Sequence, residues 1–353
     1  GGQLSCRQGG SFRCRPIPAT ARVLVHVRPK YGCPTCKTGV YTAPLPPQPI
    51  PKGLASPSLL AYVAVSKYAD ALPLYRQEQI LGRLGIELSR ATLAMWMVRC
   101  GELVRPLVSR MREEILASGF VQCDESRFQV LKEPGKLAES LSYVWVQRGG
   151  SPVHPLLLYE YDPSRSAEVP KRLFEGFQGV LQTDGYEGYG ALGREPGIVH
   201  VGCWAHARRM FTDALKAQSP GKSGGRRKPR HSQAEAGLRF LQELYAIERR
   251  VKESSAEERL RVRQAESLPV VARLRVWLDH AREVVVPQSL TGKAIAYLDG
   301  QWEKLVRIFQ YGHVPLDTNL VENAVRPFAL GRKNWMFADT VADELRMTLR
   351  NHN

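Results

Sequence analysis

The 353-residue chain contains no apolar run approaching the ~18 residues that a membrane-spanning helix requires. Its first residues show no basic segment followed by an apolar one, so neither membrane spanning nor secretion is expected. Acidic residues are scarce: 34 Asp and Glu stand against 50 Lys and Arg, for a formal net charge of +16 and a pI near 9.7. A basic excess of this size points to a phosphate-rich partner, nucleic acid or an anionic membrane surface. An even cysteine set is also missing. Seven cysteines in so long a chain do not read as a disulfide framework, and a reduced cytoplasmic setting with nucleic acid as partner is expected. Apolar content of 43% and charged content of 24% are ordinary for a globular protein, and the length allows two or three domains.

In chain order, Cys33-Pro34-Thr35-Cys36 has the spacing of a zinc knuckle, two thiolates on a tight turn. Cys33 and Cys36 are candidate Zn2+ ligands, but Cys6 and Cys14 are too far apart in sequence to make a good second knuckle. Between them, Ala21 to Val27 alternates as a strand with Val23, Val25 and Val27 on one face. Five prolines between Tyr41 and Pro51 predict an extended linker. Residues 56–111 are helical in pattern. Tyr75 to Leu84 forms one helix, Gly85 turns the chain, and Ser89 caps a third helix carrying Thr92, Trp96 and Arg99. That is the grammar of a helix-turn-helix, with Arg90, Thr92 and Arg99 placed to meet DNA.

From Val121 the period changes to that of strands. Phe120 to Asp124, continuing into Phe128 to Val130, is followed by strands at Ser142 to Gln147 and Pro155 to Tyr161. After a helical turn at Val169 to Phe174, Gly179 to Asp184 runs as an apolar strand into an acid and a glycine, and Ile198 to Gly202 is a fifth strand. Three antiparallel strands, a helix, a strand ending in Asp and one more strand is the order of a ribonuclease-H-like α/β sheet. Cys203-Trp204-Ala205-His206 opens a helical region, in which Cys203 and His206 are either half a metal site or a packed pair. The basic loop of residues 222–230 reads as solvated. Long amphipathic helices then separate Asp184 from Leu316 to Ala338.

In that last stretch Asn319, Glu322, Asn323 and Arg326 share one helical face, and Leu320, Val321 and Ala324 fall largely on the other. Pro327 predicts an end or a kink near Arg326. The Asn319 to Glu322 spacing also fits a capping box, in which Glu322 serves only the helix start. Arg332, Lys333 and Trp335 follow as a basic-aromatic segment. Asp124, Asp184 and Glu322 thus stand at the ends of core elements. Three carboxylates suit hard, octahedral Mg2+ or Mn2+, and two such ions stabilise the entering and leaving oxygens of a phosphodiester displacement.

The segments HVRPKYGCPTC, PIPKGLASPSLLAYVAVSKYADALPLYRQEQI, LQTDGYEGY, CWAHARRMF and DTNLVENAVRPFALGRKNWMF resemble, in order, the transposases of the insertion sequence 66 family. The resemblance implies a bacterial, nucleoid-associated, DDE-type enzyme on a ribonuclease-H-like fold with a helical insertion. It implies binding of terminal inverted repeats and metal-dependent strand cleavage and strand transfer, with Asp124, Asp184 and Glu322 as the triad on two Mg2+ or Mn2+ ions. DNA contacts are expected at Arg90, Thr92, Arg99, Arg208, Arg209, Arg326, Arg332, Lys333 and Trp335. Pairing two DNA ends implies a homo-oligomer, with accessory proteins of the same element as further partners. The resemblance starts after the point where the family's first knuckle would lie and fades after Glu344, so a chain cut at both ends is expected.

The implied organisation is a partial zinc-ribbon-like segment (1–42), a Pro-rich linker (43–55), a helical DNA-binding region (56–118), the first part of the catalytic core (119–203), a helical insertion (204–312) and the last part of the core (313–353). The alternatives are a catalytically inactive relic that only binds DNA and a ribonuclease-H-like nuclease outside transposition.

Overall fold

The computed structural model describes residues 20–36, 39–218, 232–335 and 338–340. Cys6, Cys14, the basic loop of residues 222–230 and the tail beyond Glu344 lie outside the described residues. Strands β1 (Lys30–Gly32) and β2 (Val40–Thr42) form a small antiparallel hairpin around Cys33 and Cys36. The strand expected over Ala21 to Val27 is not formed. Val23, Val25 and Val27 are exposed, so among the described residues the alternating valines have no second layer to pack against, and pattern alone does not hold a strand.

Helices α1 (Pro57–Tyr68), α2 (Leu74–Arg83) and α3 (Arg90–Ala117) pack around Leu60, Val63, Leu81, Leu93, Trp96 and Met97. Ser89 caps α3, its hydroxyl accepting the Thr92 amide at 3.2 Å. Gly85, at φ +79°, supplies the left-handed residue between α2 and α3.

A mixed sheet follows, built from β3 (Phe120–Lys132), β4 (Leu141–Gly150), β5 (Pro155–Asp162), β6 (Gly179–Gln182) and β7 (Ile198–Val201) in the order β5-β4-β3-β6-β7. The first three strands are antiparallel neighbours, while β6 and β7 run parallel to β3. Helix α4 (Glu168–Leu173) connects β5 to β6. The entry to β6 passes so close to the turn before β3 that a Cβ on Gly179 would stand 2.2 Å from the Gly119 carbonyl oxygen. Only glycine fits there.

Between β7 and the last acid lie α5 (Trp204–Gln218), α6 (Gln233–Arg250), α7 (Ala256–Val262), α8 (Leu268–Val284), α9 (Leu290–Gly300) and α10 (Trp302–Arg307). They share one apolar core that includes Trp204, Phe211, Leu241, Leu274, Leu298 and Phe309. Helix α11 (Asn319–Trp335) then crosses the sheet and leads to β8 (Ala338–Thr340), which pairs parallel with β3 at Val130 and Lys132.

Two expectations for α11 are corrected: that it ends near Arg326 and that Leu320 lies on its apolar side. The helix continues through Pro327 to Trp335. Val321, Ala324 and Phe328 are buried against Phe128, Val130, Val144 and Val146, and this tertiary packing outweighs the proline's missing hydrogen bond. Leu320 faces outward, 48% exposed, rather than joining that apolar side. Among the described residues no helix is long and apolar enough to cross a membrane.

Candidate active site

Alternation along β3 divides its side chains between two faces. Val121 and Cys123 join the core under α3 and α4, whereas Phe128 and Val130 join the core under α11. Asp124 shares the parity of Phe128 and faces α11. Parallel pairing sets Gln122 of β3 opposite Gln182 of β6, so Asp124 and Asp184 each lie two residues beyond a matched position. The sequence repeats accordingly, Gln122-Cys123-Asp124 and Gln182-Thr183-Asp184. Strand β6 stops at Gln182, and β8 joins the same edge of β3 only at Val130. Asp124 therefore lies in the intervening notch.

The third acid is delivered to this notch by α11. The Asp124 carboxyl is pushed up to about 7, first by burial and then by the negative charges of Glu125, Asp184 and Glu322. The three sequence-predicted acids are thus electrostatic neighbours. They do not crowd onto one point. Among the described residues, the set of three His, Cys, Asp or Glu donors whose ligand atoms all lie within 4.8 Å of one another is Cys203, His206 and Glu322.

Each acid is held by identifiable neighbours. The Tyr186 amide donates to Asp184 Oδ1 at 2.9 Å, and the Glu125 amide donates to Asp124 Oδ1 at 2.9 Å. Thr183, between Gln182 and Asp184, donates its hydroxyl proton to the Asp184 carbonyl at 3.0 Å and lies 2.8 Å from His200 Nε2. If that proton stays committed, Nε2 is the donor to the Thr183 hydroxyl. Burial, reinforced by Lys304 and Arg307, lowers His200 to about 3 and keeps it neutral. Glu125 belongs to the other face of β3. It accepts from Arg165 Nε and from Tyr189 Oη, each at 2.7 Å, and Arg165 stacks 3.8 Å over the Tyr186 ring. Glu125 is therefore a brace for the Asp184 turn rather than a fourth acid of the notch.

Glu322 does not close a capping box with Asn319. Helix α11 already includes Asn319, and the Thr318 hydroxyl lies 3.1 Å from Glu322 Oε1. Arg209 donates to Glu322 Oε2 at 3.1 Å, and His206 Nδ1 stands 3.8 Å from Oε1. The Thr318 amide and hydroxyl bond Cys203 Sγ at 3.3 and 3.2 Å. Cys203 and His206 therefore form part of the seat of the third acid, where thiol, imidazole and carboxylate together could also take a borderline-soft ion such as zinc.

Of the expected DNA contacts, Arg90, Arg99, Arg208, Arg209, Arg326 and Lys333 are exposed. Arg208 sits 5.0 Å over the Tyr245 ring, Arg99 pairs with Glu102 at 3.0 Å, and the Thr92 hydroxyl lies 3.0 Å from that of Ser89 at the helix cap. Arg332 turns inward to the Arg127 carbonyl and the Ser126 hydroxyl, tying α11 to β3. Trp335 is the last residue of α11. In the β1–β2 turn, Cys33 and Cys36 are exposed and the Cys36 amide donates to Cys33 Sγ at 3.5 Å. Sequence reasoning passes over Gln122 and Gln182, although their repeated spacing before the two aspartates is a usable signal.

Residues 52–344 match the model of the family described as Transposase IS66 family. Two uncharacterized proteins of Sinorhizobium fredii (strain NBRC 101917 / NGR234) are similar. One, y4jD, is 36% identical over 337 residues, covering 92% of this chain and 63% of its own length. The other, y4qI, is 35% identical over 342 residues, covering 93% and 61%. The chain belongs to the IS66 transposase family and spans about three-fifths of the length of these relatives.

Proposed function

We propose that this chain is a DDE-type transposase that cleaves DNA at the ends of an insertion sequence and joins the freed 3′ ends to target DNA. The observation that carries the reading is the placement of Asp124 and Asp184 two residues past the paired Gln122 and Gln182, with Glu322 brought near them by α11, where burial and the charges of Glu125, Asp184 and Glu322 push the Asp124 carboxyl up. Three acids facing one another with too little positive charge to balance them favour a hard divalent cation, and their all-oxygen donor set suits Mg2+ or Mn2+.

Asp124, Asp184 and Glu322 would hold the ions. When bound, the ions stabilise the attacking and leaving oxygens of an in-line displacement at phosphorus. Asp124 must give up its proton as the site fills, which couples loading to pH. The amide at Tyr186 and the Thr183–His200 pair orient the turn that carries Asp184. Arg209 pairs with Glu322 at 3.1 Å, and a bound cation would compete with it for that carboxylate. The exposed Arg326 and Lys333 lie along the helix that carries Glu322, where they can hold phosphates flanking the scissile bond. The order of strands β3 to β7, with the acids on adjacent strands and a later helix, supports a ribonuclease-H-like core of residues 119–203 and 313–353, interrupted by the insertion of 204–312. Helices α2 and α3 are the proposed reader of the terminal repeat, and the β1–β2 hairpin a partial zinc ribbon.

The test is nicking and strand transfer on a DNA fragment carrying the element's terminal repeat, in Mg2+ or Mn2+, for the chain and its Asp184→Ala variant. The reading expects metal-dependent nicking that falls in the variant by more than the ~100-fold seen when a residue that merely orients a metal ligand is lost. Equal nicking by both proteins would refute the triad. DNA binding without nicking by either would favour a chain that only binds DNA.

A further inference from the structure

The segment Pro315-Leu316-Asp317-Thr318 crosses the end of the parallel strands just before α11, where no strand pairs with it. Buried backbone carbonyls in such a crossing need donors from elsewhere. All four have one. Gln182 Nε2 donates to the Pro315 carbonyl at 2.8 Å, the Trp204 amide to Leu316 at 3.0 Å, Gln122 Nε2 to Asp317 at 3.0 Å, and the Glu322 amide to Thr318 at 3.0 Å. The two glutamines, each fully buried, also bond one another, Gln122 Nε2 to Gln182 Oε1 at 2.8 Å, and Gln182 Nε2 donates again to the Gly202 carbonyl at 3.1 Å.

We infer that Gln122 and Gln182 are positioning residues that clamp the approach to the third acid onto the two strands that carry the first two. The geometry leaves little choice of side chain. Each glutamine stands two residues before an aspartate and on the same face, so the distance between clamp and acid is set by the strand repeat on both strands. Turning over the Gln182 amide would set its oxygen against two carbonyl oxygens and its nitrogen against that of Gln122, so the pair has one workable orientation. Asparagine is too short to span the same gap. An apolar residue would fill the volume and leave the loop carbonyls unpaired. The clamp bonds Asp317 and Pro315, and the chain from Asp317 to Glu322 is little more than one helical turn. Register between β3 and β6 is thereby converted into the position of Glu322.

This inference rests on the proposed triad, and its test separates the two. The full chain is compared with Gln182→Met, Gln122→Met, the double variant and Asp184→Asn, by Mn2+ calorimetry and by amide hydrogen exchange. Faster exchange at Thr318 and Glu322, with the α6 and α8 amides unchanged, is expected in each glutamine variant. Mn2+ affinity is expected to fall about 10- to 100-fold, the range for outer partners of metal ligands. The double variant should be no worse than the weaker single one, because the two amides act as a unit. Unchanged exchange at Thr318 and Glu322 would overturn the clamp. Faster exchange with Mn2+ affinity unchanged would overturn its role for the third acid. Mn2+ bound alike by the chain and by Asp184→Asn would instead overturn the triad, and the positioning role with it. Should Gln182→Met not fold, Gln122→Met, which releases one loop carbonyl rather than two, carries both readings.

Discussion

One face of the sheet carries two neighbouring zones built from opposite chemistry. Toward β8, Phe128, Val130, Val144 and Val146 meet Val321, Ala324 and Phe328 of the same helix that bears Glu322. Toward β6, that face presents Gln122 and Asp124 beside Gln182 and Asp184. The apolar zone is non-directional: it needs volume and tolerates some choice of residue. The polar zone is directional: its amide hydrogens and carboxylates meet named partners at set distances. Apolar substitutions should therefore register in stability and polar ones in metal binding and catalysis, and substitutions at each zone test that division.

The largest stability effect is expected in the apolar zone. Phe128 is fully buried and its ring centroid lies 5.6 Å from that of Phe328. Phe128→Ala should cost about 3–5 kcal/mol in chemical denaturation. The folded fraction should bind Mn2+ as tightly as the parent chain. A large change in Mn2+ affinity without loss of stability would break the division of labour.

Next in size is the opposite experiment. Asp124 stands at 3.8 when unperturbed and is pushed up to about 7 in the fold, so the folded chain holds a proton that the unfolded chain has released. The sign follows from linkage: the stability tied to this proton is complete below pH ~4 and is lost as pH rises toward 7. Asp124→Asn keeps the shape and abolishes the ionisation. It should stabilise the metal-free protein increasingly between pH 4 and 7 and by a constant amount above. At 1.36 kcal/mol per unit the gain is capped at about 4 kcal/mol, reduced by water at the half-buried notch. Equal stabilisation at pH 4.5 and pH 8 would remove the charge-crowding account.

A third effect sits where the insertion meets the polar zone. A Cβ on Gly185, directly after Asp184, would lie 2.6 Å from the Tyr297 ring of α9. Gly185→Ala should cost about 1–3 kcal/mol through overpacking. It should also weaken Mn2+ binding, because the turn it displaces carries the second acid. The companion Tyr297→Ala opens that space, and in the double variant Mn2+ affinity should return. Absence of that recovery would dissociate the insertion from the acid.

Much of the polar zone is legible in the sequence alone. An apolar run leading into Asp is a local signal, and it picks out Asp124 and Asp184, although only Asp184 follows a strand end: β3 runs on past Asp124 to Lys132. Glu322 is ambiguous at that level because a helical repeat of Asn, Glu and Arg fits a cap as well as a site, and only the register of Thr318 decides against the capping box. What the chain's pattern does not convey is where a segment finds its partners. The valines of Val23 to Val27 alternate properly and, among the described residues, have nothing to pack on. Pro327 argues for a helix end, yet α11 is held by the sheet on both sides of it. Gln122 and Gln182 look like ordinary polar strand residues until the register brings them together. Each failure concerns long-range placement, which local propensity does not encode.

The smallest effect expected is at Arg209. Its guanidinium donates to Glu322 Oε2 at 3.1 Å, but the arginine side chain is 55% exposed. A half-solvated pair of this kind contributes no more than about 1 kcal/mol, so Arg209→Ala should hardly move the denaturation midpoint. Its consequence lies in competition. If the arginine occupies the carboxylate oxygen that a cation needs, its removal relieves a rival, and Mn2+ affinity should rise severalfold while DNA affinity falls through loss of one phosphate contact. The two effects separate on salt: the DNA term weakens as ionic strength rises, whereas the gain in Mn2+ affinity persists. A fall in Mn2+ affinity on Arg209→Ala would show the opposite, that the arginine orients Glu322 toward the notch, and would move Arg209 from the competitor's role to that of a brace like Arg165.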